Sequence, residues 1–83
     1  MKLKIIAIIE DGVIAVNKNN IFCFRENSLR DDKGEDSLCQ SDKGIYIGQI
    51  LTEKNHGEAD TYWRYNKKEW INMDKSFKSI NSI

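Results

Sequence analysis

The chain has 83 residues with 13 basic and 13 acidic side chains, no proline and 5 glycines. One small domain fits this length, and the 40 % apolar content excludes a disordered or linker-like chain. Zero formal net charge argues against a domain-wide basic surface for nucleic acid, and no apolar run approaches the span of a bilayer.

The first 26 residues set the architecture. Leu3 to Ile9 is a β-branched apolar run, and both its faces are apolar in the middle. That pattern predicts a central strand covered on both sides. Asp11-Gly12 follows and predicts a tight type I′ turn, because both central residues of such a turn need positive φ. Val13 to Val16 then reads as a second strand. Asn17-Lys18-Asn19-Asn20 is turn chemistry again, since asparagine tolerates left-handed backbone. Ile21 to Phe24 is the third strand of a meander.

A polar stretch follows, 27–44, with Leu29 and Leu38 as its apolar anchors. A loop this long is uncommon in a compact domain and is either functional, mobile or built on a short helical turn. Ile45 to Leu51 predicts a fourth strand, with Gly48 marking a bulge or a close backbone approach. Thr52 to Asp60 is a polar connection around Asn55-His56-Gly57. Thr61 to Met73 predicts a last hairpin turning at Asn66-Lys67, with Trp63 and Trp70 cross-paired in the core and tyrosines at the rim. Phe77 and Ile80, three apart after Asp74, are consistent with a short closing helix or a frayed strand.

The expected fold is all-β: about six antiparallel strands in one domain, residues 1–83. They form either a small barrel of SH3 or OB outline or a curled sheet, with the C-terminal helix as an addition. The chain start resembles a secretory signal but its apolar stretch is cut short by Glu10-Asp11, so a cytoplasmic location is expected. Cys23 and Cys39 are accordingly expected as free thiols.

Catalytic and metal chemistry find little footing. The soft ligands Cys23, Cys39 and His56 stand 16 and 17 residues apart with no paired spacing, so neither a metal nor a cofactor is expected. His56 reads as an exposed turn residue. A Cys39–His56 nucleophile pair lacks a third, orienting group in sequence.

Charge segregation offers more. Residues 31–60 carry eight acids against three bases, whereas 61–83 carry five bases against two acids. Within the acidic part, Asp31, Asp32, Glu35, Asp36 and Asp42 are the candidate partner-binding residues. Such carboxylates suit a non-catalytic inhibitor, of the toxin-immunity or phage-encoded kind, docking on a basic protein surface such as the groove of a nuclease. The second expectation is a small β-barrel nucleic-acid binder. It would use Tyr62, Trp63, Arg64, Tyr65 and Trp70, where aromatic rings interleave with cations and can stack on bases. Direct nucleic-acid binding ranks lower because the whole chain is neutral, and no membrane partner is expected.

Overall fold

The structure is a computed structural model that describes residues 2–57, 59, 61–66 and 69–72. Three strands run consecutively: β1 (Leu3–Ile9), β2 (Gly12–Asn17) and β3 (Asn20–Arg25). A two-residue strand, β4 (Ile50–Leu51), pairs with the outer side of β1. A hairpin of β5 (Thr61–Asn66) and β6 (Glu69–Asn72) adds on the β3 side. The order is β4-β1-β2-β3-β5-β6, and every pairing is antiparallel.

The all-β class and the meander are as the sequence predicts, but the sheet stays open. Five strands have four residues or more, and a count of six needs the two-residue β4. Closure requires strands of comparable length at both ends of the sheet. β4 is too short to offer one, and it pairs with β1 alone. Among the described residues no closed barrel forms.

Residues at alternate positions share a face, and directly paired residues of an antiparallel ladder share it too. Leu3, Ile5, Val13, Ala15, Phe24 and Leu51 thereby meet on one face and are buried. Leu29 and Leu38, from the segment between β3 and β4, close over them as part of the same core. Phe22, Ile45 and Ala59 pack around its edge. The opposite face carries Ile14, Val16, Ile21, Cys23 and Trp63, of which the last three are buried.

Several local expectations change. The first turn is centred on Glu10-Asp11, because Ile9 pairs with Gly12. Neither Asp11 nor Gly12 has positive φ. Gly12 is demanded by crowding instead: a Cβ there would lie 1.9 Å from the carbonyl oxygen of Phe24. In the second turn Asn17 pairs with Asn20, and the left-handed residue is Lys18, at φ 51°. β1 carries a bulge between Ile5 and Ala7 and is not covered on both sides. Ile6, Ile8 and Ile9 are 41–51 % exposed, since no described element crosses that part of the strand.

The fourth strand is also shorter than predicted. Gly48 sits at φ 91° in a turn that the Gln49 N–H closes onto the Tyr46 carbonyl. A left-handed residue breaks the extended backbone, so only Ile50 and Leu51 reach strand geometry. Gln49 is buried and Ile47 exposed. In the last hairpin Asn66 pairs with Glu69, and Tyr65, not Trp63, stands opposite Trp70. The predicted closing helix at Phe77 and Ile80 lies outside the described residues. No helix among the described residues is long and apolar enough to cross a membrane.

Candidate functional site

The acidic loop is built on the core. Leu29 forms a bridge with His56, and Arg30 with Ser37. Beyond that bridge the chain turns back on itself: the Asp31 N–H donates to the Asp36 carbonyl, and the Gly34 N–H to the Asp31 carbonyl, both at 2.8 Å. Gly34 supplies the left-handed residue the turn requires, at φ 75°. Asp31 then uses its side chain inward. Its Oδ1 accepts the N–H groups of Lys33 at 3.0 Å and Glu35 at 3.1 Å. The amide of Glu35 is the main cause holding this carboxyl below its usual value, with Lys33, Asp36 and Gly34 adding to it.

Asp32 is also engaged. It pairs with Lys43 and accepts from Asn55 Nδ2 at 3.1 Å, and both partners lower its pKa, Lys43 the more. The same pairing raises the Lys43 ammonium above its usual value.

Asn55 fastens the loop from beneath. Only 2 % exposed, it donates through Nδ2 to the Arg30 carbonyl at 3.0 Å as well as to Asp32. Its Oδ1 accepts the Thr52 N–H at 2.7 Å and the Thr52 hydroxyl at 3.0 Å. Its own carbonyl takes the Arg30 N–H at 2.7 Å. In sequence Asn55 reads only as part of the polar connection with His56 and Gly57. The available signal was the spacing of Thr52 and Asn55, which lets N3 reach back to the N-cap amide as in a capping box.

The five predicted acids therefore divide. Asp31 and Asp32 serve the loop's own architecture, Asp32 from an exposed position, and Glu35, Asp36 and Asp42 are exposed as well. Asp31, Asp32 and Asp42 come together around a shallow hollow of about 200 Å³ that Lys33 and Lys43 also line. Glu35 and Asp36 stand outside it.

The alternative aromatic site is divided as well. Trp63 is 5 % exposed, and its Nε1–H has no hydrogen-bond partner among the described residues. A ring so placed is not available for base stacking. Arg64 and Tyr65 are exposed, whereas the side chains of Tyr62 and Trp70 lie outside the described residues.

His56 is half-buried, not an exposed turn residue. Its ring lies against Phe24 with centroids 4.7 Å apart, and Nδ1 lies 2.9 Å from the Gly57 carbonyl, where Nδ1–H donates. Nε2 is buried and unpaired among the described residues. Cys39 is partly buried; burial, then Glu26, pushes its thiol pKa up, away from nucleophilic reactivity. Cys23 and Cys39 are both free thiols. Cys23 lies on the sheet face opposite the Phe24 ring that His56 meets, so the two are not joined. No group of three or more His, Cys, Asp or Glu side chains among the described residues is placed to hold a metal ion.

A groove of about 670 Å³ lies beside the loop, lined by Asp11, Arg25, Glu26, Asn27, Arg30 and Ser37. It is lined by two arginines and two acidic residues, and Arg30 already donates to the carbonyls of Asn27 and Leu29. The chain matches no protein-family model, no curated protein and no solved structure. The chemistry of the site therefore rests on its own residues.

Proposed function

We propose that this is a non-catalytic protein-binding inhibitor, cytoplasmic in location, that presents exposed carboxylates to a basic surface of its partner. The observation that carries this reading is the construction of the acidic loop. A floppy acidic loop would lose conformational entropy on every encounter; one already fastened by Asp31, Asn55 and the Arg30–Ser37 bridge loses less. Glu35, Asp36 and Asp42 are left facing solvent, where long-range attraction accelerates association with a Lys/Arg-rich groove such as a nuclease presents.

The test is a capture experiment from the source cell. The immobilised chain is compared with a variant carrying Glu35→Gln, Asp36→Asn and Asp42→Asn, which leaves Asp31 and Asp32 in place. The wild type is expected to retain a basic protein with salt-sensitive association, and the variant to associate more slowly with a flatter salt dependence. Full binding by the variant, together with loss of binding on Arg64→Ala, would move the site to the β5–β6 hairpin and to the nucleic-acid reading.

A further inference from the structure

The outer side of β1 is only half used. Leu3 and Lys4 pair with β4, and Ile5 exchanges backbone hydrogen bonds with Gly48 and Gln49. There the partner segment turns away at Gly48. Among the described residues, the backbone bonds on this side of β1 stop at Ile5, although β1 continues to Ile9. An overhang of four residues, Ile6 to Ile9, is thus left, in which Ala7, Ile8 and Ile9 pair with β2 alone and Ile6 falls in the bulge.

The side chains around that overhang are apolar and exposed. Ile6, Ile8 and Ile9 project from the strand, and Tyr46 and Ile47 are 50 % and 58 % exposed in the segment that turns away. Contiguous exposed apolar surface is the mark of an interaction site, and an open strand edge supplies backbone donors and acceptors beside it. At the end of the overhang lies a groove of about 220 Å³ lined by Ile8, Ile9, Glu10, Gly12, Glu26, Cys39 and Ile45. Its walls are mainly apolar. Among the described residues its charged groups, Glu10 and Glu26, are both acidic, and no base lines it.

We propose that the Ile6–Ile9 edge binds an extended segment of a partner protein as an added strand. An apolar side chain of the segment enters the Ile8–Ile9–Ile45 groove, and a neighbouring lysine or arginine meets Glu10 and Glu26. Backbone pairing supplies affinity in this mode, while alternate side chains in pockets supply specificity. Charge selects a basic segment over a second copy of this chain. An antiparallel self-pair centred on Ile8 sets Glu10 opposite an isoleucine, and Lys4 cannot reach across because Ile50 occupies its outer side. This surface is separate from the exposed carboxylates Glu35, Asp36 and Asp42, although Cys39 of the same segment lines its groove.

The test uses a blocked hexapeptide of alternating lysine and valine, titrated into isotopically labelled protein and followed by amide NMR. Saturable shifts are expected at Ile6 to Glu10, with slowed exchange of Ile6 and Ile8 amides. Ile8→Lys, at a half-exposed position, should weaken binding about tenfold or more without unfolding the chain. The double variant Glu10→Gln, Glu26→Gln should weaken it roughly threefold and flatten its salt dependence. A peptide N-methylated at alternate residues, unable to pair as a strand, should not bind. The proposal is overturned if no shifts appear at millimolar peptide, or if the N-methylated or an alternating glutamate–valine peptide binds as well. Shifts confined to Glu35 and Asp36 would also overturn it, leaving only charge attraction to the acidic loop. So would a stable dimer in sedimentation equilibrium that closes the β1 edge.

Discussion

The meander β1–β3 and the segment 26–57 are ordered in different ways. The meander is held by two long ladders, the β1–β2 one interrupted by the bulge at Ile6, in which nearly every residue has a backbone partner. The segment 26–57 has three short 3-10 turns, two isolated bridges and one strand of two residues. Yet it buries Leu29, Leu38, Leu51 and Asn55 as completely as the meander buries its own core. Order in the meander is distributed; order in the segment is concentrated in a few point contacts. A region poor in regular structure is thus fixed firmly, and single residues there carry much of what fixes it.

The strongest way to break this contrast is at the leucines. Leu38→Ala or Leu29→Ala should cost about 2–5 kcal/mol in denaturant unfolding, from lost burial and the cavity left behind. Ile8→Ala, equally apolar but half-exposed, should change stability by less than about 1 kcal/mol. Equal losses would mean that the segment is no more dependent on its anchors than the sheet is on an exposed side chain.

Asn55→Ala comes next, at about 3 kcal/mol, because it strands a carbonyl of Arg30 and an amide of Thr52 in a buried site. Hydrogen exchange sharpens the point. Protection should fall across 30–36 while the amides of β2 and β3 keep theirs. A uniform loss would show the two regions to be one cooperative unit.

Gly12→Ala should cost about 1–3 kcal/mol, since β2 and β3 must separate to admit a Cβ 1.9 Å from the Phe24 oxygen. Asp11→Ala should do little by comparison, because Asp11 has no positive φ to lose. A large effect at Asp11 and a small one at Gly12 would restore the type I′ turn.

The smallest effect is that of pH. The carboxyls of Asp31 and Asp32 are held below their usual value of 3.8 in the folded chain. Their contribution is therefore fully present above about that value and is lost as pH falls through the lower folded values. Loop protection should decline in that acid range before the meander's does. Asp31→Asn, which keeps the accepting oxygen but not the charge, should remove part of the decline. An unaltered acid profile would separate the loop's order from its carboxylates.

Much of the fold was legible because strand signals are local. β-branched and aromatic runs separated by polar turn tracts mark β1, β2, β3 and the β5–β6 hairpin, although the first turn lies one residue earlier than Asp11-Gly12, and Leu29 and Leu38 stand out as the apolar residues of a polar tract. The candidate site was legible only as composition. Charge counts found Asp31 to Asp42, but nothing in them separates a carboxylate that caps its own loop from one that faces a partner. Asn55 and Gln49 were missed because a buried amide and a solvated one look alike in a polar stretch.

The sequence by itself determined the β class, the order of the strands along the chain and the segregation of charge, since each follows from residue type and short spacing. Tertiary structure alone decided that the sheet stays open, that one face of it is roofed by the segment 26–57, and that β1 overhangs its short neighbour. Those outcomes depend on which distant surfaces meet: Asn55 reaches Arg30, Gly12 passes against Phe24, and Gly48 turns the chain away from Ile6. Periodicity records which side chains are apolar, and packing alone settles what covers them.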